Sequence, residues 1–154
     1  MKHFGSILEF TRQRNDDIMR AYYDCLKKAK FIVMPEIFAK VADSPATRFW
    51  VSEERAAIVV SAMLEAQGRE KNYMPVNGVK REMFEEIFRR YLNERKNYPE
   101  ASVLEVVSVI VNQPAPKFYL TPRTIGEYIY RIKNGWYNRQ YDRYRKDTEG
   151  ALGR

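Results

Sequence analysis

Apolar residues recur at intervals of three and four in six stretches of the chain, and this spacing predicts amphipathic α-helices. In the first stretch the pattern is carried by Ile18, Tyr22, Cys25 and Ala29, with Ser6 placed to cap the amino end of the helix. The last turn before residue 29 is rich in lysine, which suits a helix carboxyl end. The pattern predicts an all-α protein.

Capping residues and prolines mark the ends of the remaining helices. Serine or threonine caps a helix amino end, proline is tolerated in the first turn, and glycine follows a helix carboxyl end. The signals along the chain are Pro35 for the second helix, Ser52 for the third, Ser102 with Glu105 for the fifth, Thr121-Pro122 for the sixth, and Asn134-Gly135 after it. Three helices therefore precede residue 67 and three follow residue 78.

The two sets of three helices are similar in sequence. Sliding the chain on itself by 69 residues matches 43–52 to 112–121, and nine of the 41 positions from 12 to 52 are then identical. Unrelated sequences of ordinary composition would share roughly two or three. We interpret this match as a tandem duplication of one three-helix unit.

The duplication predicts four regions, which are a first three-helix module over 1–66, a linker over 67–78, a second module over 79–135 and a tail over 136–154. Each module resembles a helix-turn-helix unit in outline, because its third helix is capped and follows two others. The connection before that helix spans about eight residues, 44–51, and is longer than the usual turn. Tyrosines at helical spacing predict that the basic, aromatic tail is a final helix.

Charge directs attention to the second half of the chain. The net charge is +7, with 11 Lys/Arg against 9 Asp/Glu in residues 1–69 and 16 against 11 in residues 70–154. A basic surface with aromatic residues is typical of nucleic-acid binding. The partner predicted from this balance is nucleic acid, with DNA favoured over RNA.

The candidate nucleic-acid-binding residues lie on the second module and the tail. Arginines of the tail are expected to neutralise phosphates, and the outer face of the sixth helix to lie nearest the base edges. The full set is Lys117, Arg123, Thr124, Tyr130, Arg131, Lys133, Arg139, Arg143, Arg145 and Lys146.

The third helix differs from its counterpart in the second module, because Ile58, Ala62 and Leu64 occupy positions that are polar there. An apolar surface of this kind favours burial against another protein or subunit. The alternative function is therefore an adaptor that docks in a larger assembly through these three residues, as a homo-oligomer or with another protein.

The repeated connections contain residues with two interpretations each. Phe49 and Phe118 are predicted core residues. Trp50 and Tyr119 either stack on bases, as in single-stranded RNA binding, or cover the junction of the modules. Arg48, like its counterpart Lys117, either contacts phosphate or bonds a carbonyl at the end of the second helix.

Other chemistry lacks the residues that it requires. His3 and Cys25 are the only histidine and cysteine, so no catalytic pair or metal-ligand spacing is predicted, and no glycine-rich phosphate loop is present. We expect no enzyme, cofactor or small-molecule substrate. With no apolar run of about 18 residues and no signal peptide, a cytoplasmic protein without membrane contact is expected.

Overall fold

The protein is helical throughout the part that the structure describes. A computed structural model describes residues 4–66 and 78–152. Its helices are α1 (Phe4–Lys28), α2 (Met34–Ala42), α3 (Glu53–Glu65), α4 (Gly78–Glu94), α5 (Val103–Val111), α6 (Pro122–Lys133) and α7 (Trp136–Leu152). No strand occurs in these ranges, so the predicted all-α class is confirmed.

Most helix ends lie where the capping residues predicted them. The hydroxyls of Ser52 and Ser102 accept hydrogen bonds from backbone amides in the first turns of α3 and α5, and Gly135 adopts the left-handed φ of 71° that ends α6. The predicted cap at Ser6 is wrong, because α1 already includes Phe4. Residues 67–77 of the predicted linker lie outside the described residues.

The chain forms two compact units, and their boundaries differ from those of the predicted modules. One unit comprises Met1–Val41 and Pro122–Arg154, and the other comprises Ala42–Thr121. The third helix of each predicted module packs against the other module: α3 lies against α4 and α5 of the second module, and α6 lies against α1 of the first module and against α7 of the tail. The apolar stripe of a helix is satisfied by any complementary stripe, and chain order does not restrict the choice.

The two units differ in net charge and are named for it. The unit formed by the chain ends, here the basic unit, holds 16 Lys/Arg against nine Asp/Glu and accounts for the whole net charge of +7. The unit formed by Ala42–Thr121, here the neutral unit, holds 11 of each sign.

The connection that precedes α3 (residues 44–51) and its counterpart that precedes α6 (residues 113–120) pair with each other inside the neutral unit. Ala46 and Ala115 exchange two backbone hydrogen bonds, both of 3.0 Å, and form an isolated antiparallel bridge. The amide of Phe49 donates to the carbonyl of Val111 at 3.0 Å, and the amide of Phe118 donates to the carbonyl of Ala42 at 3.3 Å. In each pair of hydrogen bonds, the donor and acceptor of one bond lie 69 residues along the chain from the donor and acceptor of the other. The two connections are therefore related by a local two-fold axis.

Aromatic residues of the connections form the centre of the neutral unit. Phe49 and Phe118 are 0% and 2% exposed, which confirms their prediction as core residues. The amino end of α3 is held to α5 because Glu53 accepts hydrogen bonds from Ser108 Oγ and Asn112 Nδ2, each at 3.1 Å. The neutral unit is thus closed by both apolar packing and polar contacts.

The core of the basic unit is formed by the inner faces of α1 and α6. Ile18 on α1 and Ile125 and Ile129 on α6 are at most 2% exposed. The ring of Phe38 on α2 reaches α6 at Gly126, where a Cβ atom would lie 2.8 Å from Phe38 Cε2. Glycine at this position therefore permits the close approach of the aromatic ring to the backbone of α6.

Candidate nucleic-acid interface

The outer face of α6 brings three of the predicted residues together. Because Ile125 and Ile129 face α1, helical geometry turns Arg123, Tyr130 and Arg131 away from the core. All three line one shallow groove of about 720 Å³, here the α6 groove, whose other walls are Phe38, Gly126, Glu127 and Trp136. The side chain of Arg123 is 90% exposed, and its Nε lies 3.4 Å from Glu127 Oε1. A pair so exposed exchanges readily for another anion.

Arg131 has a different environment from Arg123. Its guanidinium lies over the indole of Trp136, with 5.5 Å between the guanidinium carbon and the ring centroid. It forms no ion pair with any described carboxylate. A cation–π contact orients the guanidinium while its N–H groups remain available for an anion.

Two other predicted cations have partners within the basic unit. Lys133 donates a hydrogen bond from Nζ to the hydroxyl of Tyr22 at 3.1 Å and lies 4.8 Å from the centroid of that ring. Arg139 donates from Nη1 to the carbonyl of Asn134, the residue that follows α6, at 2.7 Å. The contact of Lys133 turns it towards α1 and away from the α6 groove.

The four cations of α7 are exposed, and three of them share a face by their spacing. Arg139, Arg143 and Lys146 follow one another at intervals of four and three and therefore lie along one side of the helix. Arg145 lies on another side, 4.0 Å from Asp142, and both of these side chains are 59% exposed. Within the described residues, Arg143 and Lys146 form no ion pair.

Lys117 and Thr124 are placed apart from this group. Lys117 belongs to the neutral unit and lies 3.8 Å from Glu82 Oε2. Thr124 is on α6 but is partly buried, and it does not line the α6 groove. The structure thus brings together only part of the predicted set.

The connection residues of the neutral unit serve packing. Tyr119 is 6% exposed and stacks on Phe49 at a centroid distance of 6.0 Å, so of its two interpretations burial against protein is favoured over base stacking. Burial, followed by the charge of Glu86, raises the pKa of the Tyr119 phenol. The φ of 57° at Tyr119 is left-handed, a conformation that costs energy outside glycine and is held here by the surrounding core.

Arg48 is also engaged within the connection. It donates to the carbonyls of Phe49 and Val51, both at 3.0 Å, and lies 5.2 Å from the centroid of Trp50. Partial burial lowers the pKa of its guanidinium, and the charge of Glu53 opposes that effect. Both of these carbonyls belong to the connection itself.

The predicted docking residues do not share one surface. Ile58 is 62% exposed, and Ala62 lies one helical turn further along α3 on the same side. Leu64 is six residues from Ile58, which places it on a different side of the helix, and it is partly buried. Ile58 and Ala62 are therefore the part of this set that can meet a partner together.

An exposed apolar segment between α1 and α2 was missed by the sequence analysis. Phe31, Ile32, Val33 and Met34 are 78%, 63%, 44% and 36% exposed. The repeat provides a signal that would have found them, since the corresponding residues 100–103 are Glu, Ala, Ser and Val. Of the four residues there, only Val103 has an apolar side chain of this size.

A second groove of the basic unit was also missed. It is lined by residues of α1, α6 and α7, has a volume of about 590 Å³ and is here the α1–α7 groove. Arg14 and Asn15 on α1 lie beside Tyr128 and Tyr137, and Arg131 and Trp136 line this groove as well as the α6 groove. From the sequence, no prediction was made for Arg14 or Asn15.

No helix in the described ranges is sufficiently long and apolar to cross a membrane. Within the same ranges no three His, Cys, Asp or Glu side chains cluster as a metal site would require. His3 lies outside the described residues. Comparison of the chain with protein-family models, curated proteins and solved structures finds no match.

Proposed function

We propose that this protein is a non-enzymatic DNA-binding protein that contacts the duplex through the outer face of α6 and the exposed cations of α7. The observation that supports this proposal most directly is that Arg131, Arg143 and Lys146 form no ion pair with any described carboxylate. They belong to a unit with a net charge of +7. Unpaired cations on a strongly basic unit attract a polyanion by releasing its condensed counterions.

The two parts of this surface have different roles in the proposal. Arg139, Arg143 and Lys146 form a row along α7 that neutralises phosphates and positions the protein. Arg123 and Arg131 in the α6 groove reach the base edges, where an arginine fork pairs with guanine. Trp136 orients Arg131 before binding. Arg123 gives up its contact with Glu127 and forms a contact with the nucleic acid instead.

The test is a titration of duplex DNA at several salt concentrations. We expect log K to fall linearly with log salt, and the double variant Arg143→Glu/Lys146→Glu to reduce the magnitude of the slope by about 2, because each phosphate contact contributes nearly one. The matched control is Arg55→Glu/Lys96→Glu on the neutral unit, where both side chains are exposed and have no described ionic partner. Absence of binding at about 50 mM salt, or an equal loss in the control, would contradict the proposal.

The proposal includes the tandem duplication that the sequence predicts. Its support is the reciprocal pairing of Ala46 with Ala115 and the two further bonds whose partners differ by 69 residues. In this view the copies exchanged their third helices, and α6 with its tail kept a cationic surface while α3 became a packing helix of the neutral unit. The predicted modules 1–66 and 79–135 are then units of ancestry, and the compact units are units of packing.

An adaptor function is the second candidate, and the exposure of Ile58 favours it. The substitution Ile58→Ser would then abolish a partner complex or a homo-oligomer, and the charge reversals on α7 would leave it intact. Size-exclusion chromatography with light scattering measures the oligomer directly. In the DNA titration, a preference for single-stranded RNA over duplex DNA would instead favour the predicted RNA alternative.

A further inference from the structure

We propose that the α1–α7 groove of the basic unit is a binding site for a nucleotide, meaning an aromatic base linked to a phosphate. The groove has a volume of about 590 Å³, within the range of sites that hold small molecules. It combines aromatic walls, a polar floor and guanidinium groups. This inference departs from the sequence-based expectation of no small-molecule partner, and it does not depend on duplex binding.

The aromatic walls provide a stacking surface for the base. Trp136 is 41% exposed, and Tyr137 meets it edge-on at a centroid distance of 4.8 Å. Tyr128 and Tyr137 are fixed by Arg14, whose guanidinium carbon lies 4.2 Å and 6.0 Å from their ring centroids. Exposed aromatic rings with restricted motion are suited to stacking on a base, because little conformational entropy is lost on binding.

Asn15 provides the polar floor of the groove. It is 6% exposed, and its Oδ1 accepts hydrogen bonds from Nε and Nη2 of Arg14 at 3.3 Å and 3.1 Å. Asn15 lines the groove, and the Nδ2 group of an asparagine can donate to a carbonyl or ring nitrogen of a base.

Arginines at the edge of the groove account for the phosphate. Arg12 and Arg131 both line the groove and are exposed, and Asp16 is its one lining carboxylate among the described residues. The three arginines Arg12, Arg14 and Arg131 outnumber this carboxylate, so the lining of the groove has an excess of positive charge. Arginine binds phosphate with two parallel hydrogen bonds, so an anionic ligand is favoured over a neutral nucleoside.

The test measures mononucleotide binding by the full chain. The chain contains two tryptophans, so Trp50→Phe leaves Trp136 as the only reporter of fluorescence quenching. We expect saturable quenching by adenosine or guanosine 5′-monophosphate, at concentrations about tenfold lower than with adenosine or inorganic phosphate alone. Isothermal titration calorimetry on the unsubstituted chain provides a second measurement that does not rely on Trp50→Phe.

Two substitutions and one control identify the groove. Arg12→Gln and Arg131→Gln should each weaken binding about tenfold, since each removes a charge-assisted hydrogen bond to phosphate. Lys96→Gln, which removes an exposed charge from the neutral unit, should have no effect. Circular dichroism establishes that each variant is folded. Equal weakening by Lys96→Gln, or unchanged binding in both arginine variants, would overturn the proposal.

A short single-stranded oligonucleotide distinguishes the two sources of the ligand. Binding of mononucleotides alone supports a free nucleotide, and tighter binding of the oligonucleotide supports a nucleotide within a strand. No saturable response to either one would overturn the site. Duplex DNA titrated against Arg12→Gln separates this site from the proposed function, because Arg12 is no part of the duplex surface. Loss of nucleotide binding with retained duplex binding identifies a distinct site.

Discussion

The basic and neutral units both bury apolar side chains, but they differ in the balance of positive and negative charge on their surfaces. In the neutral unit, cations on α4 and on the connection lie close to carboxylates, as in Arg81–Glu85 at 3.1 Å, Arg89–Glu86 at 2.7 Å and Lys117–Glu82 at 3.8 Å. In the basic unit, Arg131, Arg143 and Lys146 have no such partner among the described residues. Arg55 and Lys96 of the neutral unit also have no ionic partner among the described residues, so the units differ in their net charge and not in whether every cation is paired.

This difference separates the requirements of folding from those of binding. The neutral unit shows that helices of this chain pack well with balanced charge, so the +7 of the basic unit is unnecessary for forming a core. Like charges on one compact unit repel each other and lower its stability. An external anion would offset this repulsion, and both proposals include such a ligand.

The largest effect on stability is expected from the loss of a core side chain in the neutral unit. Phe49 is fully buried and stacks on Tyr119. We expect Phe49→Ala to lower the free energy of unfolding by about 3–5 kcal/mol, through lost burial and the cavity left behind. Urea denaturation followed by circular dichroism measures the change.

The matched control for this substitution is Phe31→Ala in the basic unit, since Phe31 is 78% exposed. Surface substitutions of this kind change the free energy of unfolding by less than about 0.5 kcal/mol. Similar losses of unfolding free energy in Phe49→Ala and Phe31→Ala would contradict the assignment of Phe49 to the core and of Phe31 to the surface.

The second prediction concerns an ion pair that occurs both on α1 and at the corresponding positions of α4. Asp17 and Arg20 correspond to Glu86 and Arg89 in the repeat, but the Asp17 side chain is only 3% exposed. We expect Asp17→Asn to lower the free energy of unfolding by about 1–3 kcal/mol, because a charge-assisted hydrogen bond of 2.8 Å is lost in a buried place. Thermal or urea unfolding measures it.

Asp24→Asn is the internal control for Asp17→Asn, because Asp24 contacts the same Arg20 at 3.5 Å and is 51% exposed. Its removal should change the free energy of unfolding by less than about 0.5 kcal/mol. An effect of Asp24→Asn as large as that of Asp17→Asn would show that burial does not determine the strength of these pairs.

The smallest expected effect concerns the corresponding pair of the neutral unit. Hydrogen bonding to Arg89, with further contributions from Arg89 and Arg90, holds the pKa of Glu86 below its ordinary value. A lowered pKa in the folded state means that the pair stabilises the protein above the pKa of the unfolded chain, and that this stability is lost as the pH falls through the folded pKa. We expect Glu86→Gln to lower the free energy of unfolding at neutral pH by about 1 kcal/mol.

The pH dependence provides the specific readout for Glu86. Below the folded pKa the difference between the unsubstituted chain and Glu86→Gln should disappear, and urea unfolding from neutral to acidic pH measures it. Glu85→Gln removes the neighbouring carboxylate, which is 49% exposed, and should show a smaller difference. A constant difference at every pH would contradict the role assigned to the charge of Glu86.

The sequence predicted the helices because their signals are local. Ser52, Ser102 and Gly135 act within one turn of their own position, so their roles are visible in the residues beside them. The exposed face of α6 with Arg123 and Arg131 followed from helical periodicity for the same reason. The prediction of a cap at Ser6 is wrong because an amphipathic pattern does not mark its first residue sharply.

The parts of the candidate site that were missed depend on neighbours far along the chain. Lys133 was grouped with Arg131 by charge, but Tyr22, 111 residues away, holds it on another side of α6. Arg14 and Asn15 acquired significance only when Tyr128 and Tyr137 were brought beside them. No pattern within a single helix contains such information.

By itself the sequence determined the all-α class, most of the helix ends, the excess of positive charge and the correspondence of residues 69 apart, because each depends on composition or on neighbours within a few positions. Only the tertiary structure decided which helices share a core, which cations remain without carboxylates and where the grooves lie. The physical reason is that the apolar stripes of α3 and α6 can each be buried against several helices. Complementary packing of side chains distant in the chain selects among those arrangements.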